Sequence, residues 1–254
     1  SVGAEVEHVL LKEEDEFRVQ DSFIDWLHKD LDMVFLCNPN NPTGILTDRE
    51  FLFRLLRVCR EMGIFLVVDE CFQDFIREPG QYSLKAQLPR YHNLFLLKAF
   101  TKRYAMAGVR LGYGITENEE LLEKMTQATQ PWNISIPAQA AGIAALGEVE
   151  YVERARKLIF AESEYLSEEL YKLGMTVFPS QANYLFFKGP EDLEEQCQKR
   201  GLLIRDCSNY RGLSKGYFRI AVRTREENDQ LIKIFQDIIR EKQKESGAIY
   251  GWRK

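Results

Sequence analysis

Three short apolar runs, each ending in polar residues, organise the first half of the chain. Met33-Val34-Phe35-Leu36-Cys37 runs into Asn38, Ile64-Phe65-Leu66-Val67-Val68 into Asp69-Glu70, and Leu94-Phe95-Leu96-Leu97 into Lys98. Near-continuous runs of about five apolar residues separated by helical stretches predict parallel strands buried on both faces. Between the first two, Thr47-Asp48-Arg49-Glu50 reads as a capping box. Phe51, Leu52, Leu55, Leu56, Val58 and Cys59 then recur at helical spacing until Met62-Gly63 stops them. Residues 33–69 are therefore predicted to be a strand, helix, strand crossover.

The pattern elsewhere is weaker. An earlier strand is predicted over residues 4–11 and a short Gly-rich one over 109–115. Thr116-Glu117-Asn118-Glu119 caps a helix that Pro131 ends, and 138–146 reads as an Ala-rich, closely packed helix. A charge-laced helix over 148–173 suits a connector between lobes. Beyond it, short strands at 176–178, 184–187, 202–204 and 217–222 interleave with helices over 191–199 and 225–241. The expected fold is α/β, with a mostly parallel sheet in a large domain over 1–147. A smaller α/β domain over 148–242 includes the connecting helix, and 243–254 reads as a loose polar tail.

Composition narrows the function classes. The 254 residues suffice for one large domain or two unequal ones. Lys and Arg total 34 against 39 Asp and Glu, a formal charge of −5 with both signs interspersed, so no basic stripe is available for nucleic acid. Mean hydropathy is −0.33, and no apolar run approaches the ~20 residues needed to cross a bilayer. A soluble protein without a membrane partner is expected. Cys37, Cys59, Cys71, Cys197 and Cys207 are odd in number and widely spaced, which favours reduced thiols in the cytoplasm. His8, His28 and His92 lack partners at metal-ligand spacing, so neither a metal site nor a Ser-His-Asp triad is expected. The chain opens at Ser1-Val2-Gly3 with no initiator Met, which reads as a start within a longer protein.

Polar residues at the carboxyl ends of parallel strands sit where open α/β sheets bind ligands. Asn41, in Asn38-Pro39-Asn40-Asn41-Pro42-Thr43-Gly44, and then Asp69 and Lys102 are thus expected to converge. Lys102 lies about one turn past the third run, beside Arg103. A lysine desolvated near other cations is the nucleophile that imine formation with an aldehyde cofactor needs. Taken alone, a lysine after a strand is more often a solvated surface charge. Asp69 could equally cap a helix, or could keep a pyridine nitrogen protonated so that the ring accepts electrons. Asn41 is open to ordinary turn chemistry or to donation toward a phenolic oxygen. Thr101 and Arg110 offer a hydroxyl and a bidentate guanidinium for a phosphate. Gly108-Val109-Arg110-Leu111-Gly112-Tyr113-Gly114 matches neither the dinucleotide fingerprint nor a P-loop.

Asn38-Pro-Asn-Asn-Pro-Thr-Gly44, Val68-Asp69-Glu70, Thr101-Lys102 and Ala107-Gly108-Val109-Arg110-Leu111-Gly112-Tyr113, in this order and spacing, resemble the class I/II pyridoxal-phosphate aminotransferases of fold type I. Ala182-Asn183 and Phe218-Arg219-Ile220 extend the likeness into the smaller lobe. The resemblance implies pyridoxal 5'-phosphate as cofactor, carried by Lys102 as an internal aldimine. Asp69 would pair with the pyridine nitrogen, Asn41 with the ring hydroxyl, and Thr101 and Arg110 with the phosphate. Arg219 would bind the substrate α-carboxylate, with Asn183 and Arg205 as further substrate contacts, in a homodimer whose sites lie at the subunit interface.

The stretch from Leu203 through Leu213, followed by Phe218-Arg219-Ile220-Ala221-Val222-Arg223-Thr224, looks like the branch of histidinol-phosphate aminotransferase and threonine-phosphate decarboxylase. The implied function is transamination of an amino acid or phosphorylated amino compound. One alternative is the L-threonine-O-3-phosphate decarboxylase of cobalamin synthesis, toward which Arg205-Asp206-Cys207-x-Asn209 leans. Another is a non-catalytic cofactor-binding remnant. This chain departs from the family at Phe72, where a tyrosine is usual, and at Ala99, where Ser or Thr is usual. The family's N-terminal portion, with its phosphate loop, ring-stacking aromatic and covering arm, has no counterpart here.

Overall fold

The apolar runs become β1 (Met33–Cys37), β2 (Phe65–Asp69) and β3 (Leu94–Ala99), hydrogen-bonded side by side in parallel, and β4 (Gly112–Ile115) adds antiparallel to β3. The computed structural model describes residues 3–250, with side chains through residue 244. Between the first strands, α1 (Ser22–Asp25) precedes β1 and α2 (Arg49–Met62) forms the crossover to β2. Leu52, Leu55, Leu56 and Cys59 of α2 pack with Leu66, Val68, Leu94 and Leu96 of the sheet in one buried cluster. Burial of each such leucine contributes roughly 1.5–3 kcal/mol, so this layer is what holds the strands in register.

The helix caps lie one or two residues from their expected positions, for a nonlocal reason. Asp48 rather than Thr47 caps α2, its carboxylate accepting from the Glu50 and Phe51 amides at 2.8 and 3.0 Å. The Thr47 N–H, which a capping box would pair with the Glu50 side chain, donates instead to Asn38 Oδ1 at 2.9 Å. Likewise Asn118 caps α5 (Glu119–Ala128), while the Thr116 hydroxyl donates to the Leu94 carbonyl at 2.7 Å. Gly63 ends α2 at φ +77°, as the Met62-Gly63 stop predicts. Single helical turns α3 (Pro79–Tyr82) and α4 (Phe100–Arg103) flank β3, and α6 (Ile136–Leu146) starts from a Ser135 cap.

Two strand expectations in this half need correction. Residues 4–11 form no strand but irregular, mostly exposed chain; they pair with no strand, and β1 is the edge of the sheet. Within 109–115 only β4 is strand; residues 107–109 make a 3-10 turn and Arg110 takes the left-handed conformation at φ +55°. Gly114 is required there, because a β-carbon would run into the Phe95 ring that lies across β4.

The second half begins with α7 (Val149–Lys172). It continues through β5 (Thr176–Val177), β6 (Tyr184–Lys188), α8 (Leu193–Gln198), β7 (Arg205–Asp206), β8 (Tyr217–Ala221) and α9 (Arg225–Tyr250). The sheet is antiparallel in the order β5-β6-β8-β7. Its core joins Leu185, Phe187, Phe218 and Ile220 to Leu166 and Leu170 of α7 and Phe235 of α9. The two helices are also bonded by Glu162, whose carboxylate accepts from Arg225 Nε at 3.0 Å and Asn228 Nδ2 at 2.9 Å. The Arg225 hydrogen bonds hold that carboxyl below its usual range against the cost of burial.

The strand expected at 202–204 lies at β7 instead, where pairing with β8 rather than local pattern decides its position. The loose tail expected over 243–254 is corrected as far as Tyr250, for α9 continues through Gly247. One helical glycine costs about 1 kcal/mol, too little to stop a run of good helix formers such as Gln243-Lys244-Glu245. Residues 251–254 lie outside the described residues.

The chain divides into two compact units, Ser1–Asn41 with Ile45–Val152, and Pro42–Gly44 with Glu153–Lys254. The division thus falls inside α7 rather than before it. The 42–44 segment joins the second unit because the Gly44 carbonyl accepts from the Gln181 amide at 2.7 Å, and Ser180 fills the space a Gly44 side chain would need. Among the described residues no helix is long and apolar enough to cross a membrane.

Candidate active site

Parallel register places Cys37 beside Asp69 and Asp69 beside Leu97. The segment leaving β1, the end of β2 and the exit of β3 into α4 therefore emerge from one edge of the first sheet. Asn38 N–H donates to the Asp69 carbonyl and Glu70 N–H to the Leu97 carbonyl, both at 2.9 Å, which carries the register past the strand ends. Asn40 N–H donates to the Ile45 carbonyl at 2.9 Å and closes the turn that presents Asn41, itself half-buried.

Asp69 is half-buried, and its Oδ1 accepts the Cys71 N–H at 2.9 Å. This is the local turn that an aspartate makes with its own backbone, and it fixes the carboxylate at the strand end. Cys37 and Cys71 lie close enough to feel its charge. Burial pushes both thiols up to about 12, and the Asp69 charge adds to the rise. Both stay protonated near neutral pH and do not act as nucleophiles there.

Glu70, fully buried, is bonded to Lys98 Nζ at 2.8 Å, Ser83 Oγ at 2.8 Å and the Leu84 amide at 3.0 Å. The Lys98 side chain is only 12% exposed. The two lysines around the β3–α4 junction thus differ sharply. Lys98 is held in a buried ion pair, whereas Lys102 is exposed, has no ion pair among the described residues, and sets its Nζ 5.6 Å from the centroid of the Phe72 ring. The desolvation expected for Lys102 is accordingly not supplied by these residues. Its cationic neighbour Arg103 is neutralised by Asp74 at 2.7 Å.

Thr101 is half-buried on α4. Phe100 N–H donates to the Leu111 carbonyl at 3.1 Å, which seats the 107–111 turn beside α4. Arg110, exposed on that turn, donates to the Ala107 carbonyl at 3.0 Å.

Asn183, Arg205 and Arg219 belong to the second unit. Arg205 on β7 and Arg219 on β8 stand directly opposite each other in the antiparallel register. Like charges so placed repel, and an anion between or above them would relieve the repulsion. The half-buried Arg219 guanidinium lies 4.9 Å from the Tyr184 ring centroid; exposed Arg205 donates to Asn209 Oδ1 at 3.0 Å and lies over Tyr210. Asn183, half-buried, accepts the Val222 N–H at its carbonyl at 3.0 Å.

Sequence reasoning passed over Cys71, Tyr184 and the Glu70–Lys98 pair. The Asp69-x-Cys71 spacing after a strand carries a usable signal for the first, an aspartate turn. Glu70 and Lys98 become neighbours only once the β2–β3 register is known.

Residues 1–235 match the family described as Aminotransferase class I and II. Threonine-phosphate decarboxylase of Salmonella typhimurium is 32% identical over 241 residues, covering 93% of this chain and 66% of that protein. Histidinol-phosphate aminotransferase of Methanosphaera stadtmanae is 31% identical over 214 residues, covering 82% and 56%. The crystal structure of histidinol-phosphate aminotransferase from Clostridium acetobutylicum is similar with a TM-score of 0.80 at 32% identity, over 87% of this chain and 66% of that one. The chain spans less than two thirds of the length of each of these relatives. With its sheet order, its strand-end residues and this match in agreement, the chain belongs to the class I and II aminotransferases.

Proposed function

We propose that the chain is part of a pyridoxal-phosphate enzyme, similar to histidinol-phosphate aminotransferase, that transaminates an amino acid or phosphorylated amino compound. The observation that carries this reading is the contrast at the sheet edge. Asp69 is fixed by Cys71 N–H and Lys98 is engaged by Glu70, which leaves Lys102 as the available amine.

The family depends on pyridoxal 5'-phosphate, and the donor set fits that group. Asp69 would hold its ring nitrogen, Asn41 its ring hydroxyl, Lys102 its aldehyde carbon, and Thr101 and Arg110 its phosphate. Phe72 and Ala99 each withhold a hydroxyl that the family usually supplies. When bound, the cofactor supplies an electron sink for charge developing at the substrate α-carbon. Asp69 would keep a proton on the ring nitrogen of that group. Lys102 Nζ takes the proton from the substrate α-carbon and returns it. Within the second unit, Arg219 and Asn183 would suit a substrate carboxylate, and Arg205, opposite Arg219, a second anionic group such as a phosphate ester.

A second reading, decarboxylation of a phosphorylated amino acid, draws on the 32% identity to the Salmonella enzyme. There the carboxylate, not the α-proton, leaves. Assembly as a homodimer accords with the apolar face of α6, where Ile136, Ile143 and Leu146 are 80%, 74% and 63% exposed. Cytoplasmic location accords with five cysteines that form no disulfide. The reading includes no nucleic-acid or membrane partner.

The experiment is borohydride reduction of the cofactor-treated protein followed by peptide mapping. The label is expected on Lys102; a label on Lys98 or Lys124 would overturn the reading. Product analysis then separates the reactions, since transamination requires a 2-oxo acid and decarboxylation releases carbon dioxide without one. Asp69→Ala is expected to keep the label while turnover falls about 10²–10³-fold, the scale of a lost electrostatic partner. Near-full turnover in that variant would remove the role assigned to Asp69.

A further inference from the structure

Phe72 sits at the entrance of the 3-10 turn Gln73–Phe75, 9% exposed, and presents its ring to α4, with Lys102 Nζ 5.6 Å from the centroid. The other charged groups nearby are engaged. On α4 and β3, Arg103 is bonded to Asp74 at 2.7 Å and Lys98 to Glu70 at 2.8 Å. On β2 and its exit, Asp69 Oδ1 accepts the Cys71 N–H at 2.9 Å, and the Cys71 thiol, which feels the Lys102 charge, stays protonated. An aromatic face attracts an ammonium through its quadrupole and does not attract a neutral amine in the same way. We propose that Phe72 is a positioning residue for Lys102, its ring face holding the ammonium in the resting protein and limiting how readily the amine meets an aldehyde. The contact stands on geometry alone; its bearing on cofactor chemistry rests on the proposed role of Lys102.

The test uses the cofactor-free chain. Trace acetic anhydride at one mildly alkaline pH acetylates amines, and mass spectrometry reads Lys102 against the exposed Lys29 in the same sample. Phe72→Leu is expected to raise the relative rate at Lys102 about two- to fivefold, the range that a cation–π contact at an exposed site supports. Phe72→Tyr keeps the ring face and is expected to match the wild type, while Phe72→Trp, with the stronger face, is expected to fall below it. Phe72→Met, also without a ring, replaces the leucine variant if circular dichroism shows that variant unfolded. An unchanged rate in the ringless variants overturns the proposal. So does an equal rise in the tyrosine and tryptophan variants, which would indicate loosened packing.

Borohydride trapping of pyridoxal phosphate on the same variants separates this proposal from the reading beneath it. A graded acetylation series with no cofactor trapped on Lys102 keeps the contact and overturns the cofactor role. Trapping on Lys102 with an acetylation rate indifferent to residue 72 does the reverse.

Discussion

Lys102→Ala is expected to abolish borohydride trapping of the cofactor and to lower turnover by about 10³-fold, within the range for loss of a positioned acid–base group. The size of the effect follows from the neighbourhood. No second amine at the sheet edge is placed to substitute, because Lys98 is bonded to Glu70 in a buried pair and Arg103 is a guanidinium bonded to Asp74. Lys102→Arg is expected to fail as well. It restores a cation, but a guanidinium does not lose its proton in the working pH range and cannot take one from carbon. Peptide mapping and steady-state kinetics on both variants check this. Label retained in Lys102→Ala, at any other lysine, would mean that the amine has been assigned to the wrong residue.

How far the fold can be read from the chain varies with how local its determinants are. The crossover from β1 through α2 to β2 is legible because each of its signals, apolar runs, a helical repeat and a Gly63 stop, lies within the segment itself. Residues 4–11 carry a similar local pattern and form no strand: the sheet ends at β1 without recruiting them, because pairing, not local pattern, makes a strand. The same logic moves the α2 cap from Thr47 to Asp48 and the seventh strand from 202–204 to Arg205–Asp206. In both cases a residue distant in sequence decides.

The candidate site divides along the same line. That Asn41, Asp69 and Lys102 emerge at one sheet edge follows from the order of strands and crossovers, which the runs reveal. Whether Lys102 is desolvated depends on which side chains surround it, and the structure leaves it exposed beside Phe72. The partition of the two lysines between a buried pair and an open position depends on the β2–β3 register, one step beyond Asp69 and Leu97.

That partition yields the largest expected stability effect. Lys98→Met is expected to destabilise the protein by about 3–5 kcal/mol, the cost of leaving one member of a buried ion pair without its partner. Glu70 has no exposed surface, and after the substitution Ser83 Oγ and the Leu84 amide remain as donors to its carboxylate, two neutral groups for a full negative charge. For a chain of this size the melting temperature should fall by roughly 10 °C, read by thermal denaturation followed by circular dichroism. Lys98→Arg, which keeps the charge, should recover much of the loss. The double variant Glu70→Gln with Lys98→Met removes both charges together, and buried pairs so replaced are often near neutral in stability. A double variant as stable as the wild type would therefore be consistent with the geometry, and would assign the pair a role in fixing Lys98 away from Lys102 rather than in holding the fold. A single Lys98→Met variant that melts within a degree or two of the wild type would contradict the buried pair itself, and with it the reason for singling out Lys102.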